Sequence, residues 1–204
     1  MKRHLVLWAS AALVAGSVAG CATGSSVGFQ NASPIASIPA VAGVPAIPAT
    51  VVVSSTSADN VVDNDVVAAL RRNAVFKETL SGRTAGAGGD LQLIVSSENS
   101  QNENGMGRAV TQGLVSGLTF GAASFAQKNE DWYEVKITAT LKDGARVIKT
   151  YETVGRIETV VPGRAPLKEK IKASTERVTQ AYDHALNLLS AELKLDRPAI
   201  MSEL

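Results

Sequence analysis

Apolar and polar residues alternate most strictly between Trp132 and Leu141. Tyr133, Val135, Ile137, Ala139 and Leu141 fall on one side, and Glu134, Lys136, Thr138 and Thr140 on the other. That period of two predicts a strand with one buried and one wet face. Asp143-Gly144 supplies a hairpin turn, and Arg146 to Val154 returns as the partner strand, continuing to Val161 before Pro162 and Gly163 break the pattern. Earlier, the β-branched run inside Ala49 to Ser55 and the apolar run Leu91 to Ser96 predict two more strands. Two other stretches carry helical spacing. Val62, Val66, Ala69 and Leu70 share a face between Val61 and Val75, with Asp59 and Asn60 as caps and Arg71 and Arg72 near the end, a polarity that suits the helix dipole. Leu167, Ile171, Val178, Tyr182, Ala185, Leu189 and Leu193 recur at three, four or seven, which predicts a long amphipathic helix from Ala165 to Leu193. Ser81 to Gly89 reads as a glycine-rich turn and Ser97 to Gly105 as a polar loop. The expected fold is α+β: a mostly antiparallel sheet with two helices packed on one face.

One segment fits neither period. Ala109 to Ala126 carries no charge, and Ala109, Gly113, Gly117 and Gly121 recur at every fourth position. On a helix this spacing stacks small residues into a groove that admits another backbone, the small-xxx-small pattern of a glycine zipper. Leu114, Val115, Leu118 and Phe120 cover other faces, and Trp132 and Tyr133 follow, where an interfacial aromatic pair would sit. Three readings are open: a membrane span, a glycine-rich core element, and an exposed contact for lipid or another subunit. As a span of about 27 Å it is only just long enough, and Gln112, two serines and two threonines make it a poor apolar rod. The contact reading assigns Gly113, Gly117, Gly121, Leu114, Leu118, Phe120, Trp132 and Tyr133 to a membrane or oligomer surface.

The start of the chain has a layout of its own. Met1-Lys2-Arg3-His4 precedes a mostly apolar run from Leu5, and Val18-Ala19-Gly20 ends on Cys21, the single cysteine. A basic start, a short apolar core and small residues before a cleavage point make a secretory signal peptide. Leu5 to Gly20 is about 16 residues, short of the roughly 20 that a membrane helix needs. From Ala22 to Ala49 no residue is charged, and prolines fall at 34, 39, 45 and 48. That composition predicts a semi-stiff tether of at most ~85 Å, with Val41 to Pro48 lying as an edge strand as the alternative. The organisation expected is thus a signal peptide at 1–20, a tether at 21–48 and a domain at 49–204.

The small triplet ending on Cys21 resembles the lipobox of bacterial lipoproteins. The resemblance implies that Cys21 is acylated, becomes the first residue of the mature chain, and holds the protein to a membrane from the periplasmic side. Ala22 follows it, rather than the aspartate associated with inner-membrane retention, which implies the outer membrane. A lipobox, a low-complexity tether and a small α+β domain with a glycine-rich apolar stretch before a β-hairpin are together similar in layout to several uncharacterised proteobacterial outer-membrane lipoproteins. Surface-exclusion and curli-secretion lipoproteins share the general idea of an anchored α/β module with apolar insertions. That wider likeness carries no functional residue beyond Cys21.

Charge and chemistry narrow the function. Residues 1–20 contain Lys2 and Arg3 and no acid, so their removal leaves 18 basic residues against 19 acidic ones, a net −1. A near-neutral chain lacks the basic footprint of a nucleic-acid binder. Aromatic residues are 4% of the chain, which leaves few platforms for stacking sugars or bases. His184 is the one histidine beyond residue 20, and no G-x-S-x-G elbow occurs. The glycines from 82 to 89 lack the Lys-Ser/Thr and following helix of a phosphate loop. Asp59, Asp63 and Asp65 lack the spacing of a calcium loop. The expectation is a non-enzymatic accessory, assembly or interaction lipoprotein with no catalytic residue, metal or cofactor. Its partners would be the membrane, a second copy or an envelope protein. The alternative is a periplasmic binding module for a small apolar or envelope-derived ligand.

Overall fold

A computed structural model describes residues 27–56, 61–82, 88–102, 128–162 and 165–204. In chain order the strands are β1 (Gly28–Asn31), β2 (Ile47–Ser55), β3 (Phe76–Ser81), β4 (Leu91–Asn102), β5 (Lys128–Asp143) and β6 (Arg146–Pro162). The helices are α1 (Val61–Arg72), α2 (Leu167–Leu195) and the short α3 (Arg197–Met201). All six strands form one sheet in the order β1-β6-β5-β4-β2-β3. The class is α+β, but the sheet is mixed rather than mostly antiparallel. β1, β6, β5 and β4 pair antiparallel, whereas β2 is parallel to both β3 and β4. The β2–β3 pair follows from α1, which connects the two. A chain that leaves a strand through a helix can return beside it in the same direction, and so makes a parallel pair.

The period-two pattern of β5 places its residues as expected. Tyr133, Val135, Ile137, Ala139 and Leu141 are buried, and they share one apolar cluster with Val51 and Val53 of β2 and Leu91, Leu93 and Val95 of β4. Val66, Val67, Ala69 and Leu70 of α1 and Ala181, Ala185, Leu189 and Leu193 of α2 belong to the same cluster. The hairpin turn is Gly144-Ala145, between paired Asp143 and Arg146, with Gly144 at φ 54°.

Three boundaries and one helix phase differ from the expected ones. β1 and the first two residues of β2 fall in the stretch expected as a tether, so by Gly28 the chain is already hydrogen-bonded into the sheet beside β6. β4 runs on to Asn102 through the stretch expected as a polar loop, because each residue from Gln92 to Asn102 has a partner on β5. α1 ends at Arg72, where the amides of Ala74 and Val75 bond back to the carbonyls of Arg71 and Leu70 in a Schellman closure that starts β3.

The fourth difference is the phase of the long helix. Its buried row is Ala173, Arg177, Ala181, Ala185, Leu189 and Leu193, one residue in every four. Leu167 and Ile171, expected on the apolar face, are 70% and 58% exposed. A row spaced by four turns gradually around a helix of 3.6 residues per turn, so residues in line with the core at one end are out of line at the other.

Candidate functional site

Three parts of the chain converge on one end of the sheet. β1 begins with Gly28 opposite Val160 near the end of β6. β4 ends at Asn102, paired with Trp132 near the start of β5. α2 starts shortly after β6 ends there. Val27 and Phe29 pack against Ala165 and Ala173, which docks the incoming chain on the beginning of α2. Cys21, Gly113, Gly117, Gly121, Leu114, Leu118 and Phe120 lie outside the described residues.

Trp132 and Tyr133 are described, and the pleat sends them to opposite faces. Trp132, half-buried, stacks under the Arg156 guanidinium at 4.5 Å. That guanidinium also reaches Glu158 at 3.1 Å and Glu134 at 3.7 Å, so cation, ring and two carboxylates line the outer face. Tyr133 is 7% exposed and packs inward, its ring 6.4 Å from that of Tyr182 on α2. Tyr182 donates a hydrogen bond to Asn99 Oδ1 at 3.0 Å. Burial first, and the neighbouring Tyr182 second, push the Tyr133 hydroxyl up to about 12. The two aromatics therefore do not form one interfacial surface.

The inner face at this end holds a charge that the sequence reading passed over. Arg177 is 3% exposed and pairs with Asp131 at 3.6 Å. Asp131 lies across the β5–β6 pair from Thr159, which is fully buried. Arg177 Nε and Thr159 Oγ1 have no hydrogen-bond partner among the described residues. The signal for Arg177 was present in the sequence, because it stands midway between Ala173 and Ala181 in a row of small residues four apart.

A second polar cluster fastens the stretch after β1. Asn31 Oδ1 accepts from the Ser33 amide at 3.0 Å and from the Ser33 hydroxyl at 2.5 Å, and Asn31 Nδ2 donates to the Ala36 carbonyl at 3.1 Å. The Ser33 hydroxyl accepts from the Arg156 amide at 2.8 Å. His184 completes the clasp: Nδ1 lies 3.2 Å from Asn31 Nδ2, and Nε2 lies 2.7 Å from the Ile35 carbonyl. These distances suit a neutral ring that accepts at Nδ1 and donates from Nε2–H. Both nitrogens thus hold the N-terminal stretch to α2.

No family model matches the chain, and no curated protein matches it. Among solved structures it is similar to a minor lipoprotein from Acinetobacter baumannii at 9% identity, over 75% of this chain and 96% of that one, with a TM-score of 0.48. It is also similar to a candidate lipoprotein from Caulobacter crescentus at 12% identity, over 72% and 90%, with a TM-score of 0.42. A protein from Xanthomonas campestris is similar at 10% identity, over 82% and 94%, with a TM-score of 0.44.

Proposed function

We propose that the chain is a lipoprotein of the outer membrane, held by acylated Cys21 and acting without catalysis as an accessory or interaction module of the cell envelope. The observation that carries this reading is the sequence at the start of the chain: a basic tetrapeptide, a short apolar run, and Val18-Ala19-Gly20 ending on the single cysteine. Acylation explains a thiol that has no disulfide partner anywhere in the chain. Each buried CH₂ adds about 0.8 kcal/mol, and two acyl chains hold where one does so only marginally. Ala22 supports the outer membrane.

A role by contact is supported by His184, whose two ring nitrogens are engaged in holding the N-terminal stretch rather than offered to a substrate. The contact we assign to Ala109–Ala126, for a second copy, an envelope protein or lipid. The support is the charge-free glycine pattern, inserted between paired neighbours that a hairpin of 2–5 residues would suffice to join.

The test is Cys21→Ser, followed by palmitate labelling and Triton X-114 partition. The reading expects loss of label and escape from the detergent phase. A variant that still partitions wholly with outer membranes would show an anchor elsewhere in the chain.

A further inference from the structure

Leu167 and Ile171 sit one turn apart at the start of α2, 70% and 58% exposed, on the side away from the core contact made by Ala173. Lys168 and Lys172 are exposed beside them. Apolar side chains at such exposure, flanked by lysines, make the short amphipathic surface that suits a membrane interface. The apolar groups enter the boundary of headgroup and acyl chain, and the lysine stems run along it while their ammonium groups meet phosphate.

The position of the anchor decides the partner. Val27 packs on Ala165 and Ala173, against the first turns of the same helix. Cys21 precedes Val27 by only six residues, which fully extended span at most ~20 Å. A long tether would leave the orientation of the domain open. A docked Val27 removes that freedom and keeps the start of α2 close to the lipid surface. We infer that the first turns of α2, through Leu167, Ile171, Lys168 and Lys172, rest on the anionic phospholipid surface that holds Cys21, so that the sheet stands on the bilayer by a defined end. This rests on the acylation of Cys21.

The experiment uses the full acylated chain in vesicles of phosphatidylcholine with or without phosphatidylglycerol. Acylation occupies Cys21, so Leu167→Cys offers a single thiol for an environment-sensitive fluorophore. Val147→Cys is the control, 53% exposed beside the β5–β6 turn at the opposite end of the sheet. The label at 167 should shift to the blue and be quenched several-fold more by headgroup-proximal spin-labelled lipid than the label at 147. Lys168→Glu with Lys172→Glu should reduce that quenching in phosphatidylglycerol vesicles. Equal quenching at 167 and 147 on acylated protein overturns the inference and leaves the anchor standing. A blue shift at 167 that appears without vesicles and grows with protein concentration also overturns it, in favour of a second copy on this surface. The mass of the N-terminal peptide from the same preparation reports acylation. An unmodified Cys21 would sink the anchor reading, and with it this one.

Discussion

Gly155 of β6 lies directly beneath Ala181 of α2. A β-carbon placed on the glycine would fall onto the Ala181 carbonyl oxygen, 2.9 Å from its carbonyl carbon and 3.1 Å from the Ala185 amide nitrogen. The long helix therefore crosses the sheet backbone to backbone at this point, and the alanines of its buried row are the other half of the fit. Gly155→Ala should cost about 1–3 kcal/mol or more through overpacking, since no flexible side chain is there to yield. Urea melts of residues 22–204 measure it. A melt unchanged within error would mean that α2 sits farther from β6.

The phase of α2 gives a paired prediction. Leu189 is fully buried and Ile171 is largely exposed. Leu189→Ala should lose about 2–5 kcal/mol, and Ile171→Ala should stay within about 0.5 kcal/mol. Comparable losses would restore the face on which both residues were expected.

Arg177 and Asp131 are asymmetric partners. The arginine side chain is 3% exposed and the aspartate 17%. Asp131→Asn should cost about 3–5 kcal/mol, because it leaves a buried guanidinium without its carboxylate. Adding Arg177→Met should recover most of that loss, a coupling that a double-mutant cycle reads directly. A double variant as unstable as Asp131→Asn alone would place the damage elsewhere.

Ala74 closes α1 at φ 46°, a left-handed conformation that costs an L-residue about 1–2 kcal/mol and glycine little. Ala74→Gly should raise stability, by about 1 kcal/mol once the extra freedom of glycine in the unfolded chain is subtracted. A shift of the melting midpoint to lower denaturant would contradict the Schellman closure described for this turn.

Alkaline pH should destabilise the protein through its tyrosines. Burial first, then Tyr182, raises Tyr133 from 10.0 to about 12, and burial with nearby Asp196 pushes Tyr151 up further in the same direction. The native state keeps these protons longer than the unfolded chain does. Their contribution is therefore complete below pH 10 and is lost as pH climbs from about 10 through 12. Stability measured from pH 8 to 12 should fall across that window, and Tyr133→Phe should flatten the fall. A Phe variant with an unaltered profile would remove Tyr133 from the account.

The sequence by itself determined what depends on near neighbours. Alternation from Tyr133 to Leu141 set the inner face of β5, because successive side chains of a strand point oppositely whatever lies beside it. The long helix and the β5–β6 turn were legible for the same local reason. The reading of Cys21 also belongs to the sequence, since the cysteine lies outside the described residues. What needed tertiary structure were the choices made between distant segments. β2 lies parallel to β3 because α1 carries the chain back across the sheet, and β4 then takes the same direction on the other side of β2. Gly28–Asn31 joins β6 although its composition reads as a tether, because an edge strand is recruited by unpaired backbone groups and not by its own side chains. Leu167 and Ile171 are exposed while the buried row of α2 runs on through Ala181, seated over Gly155, and the spacing of apolar residues along one helix contains no record of where the helix crosses the sheet.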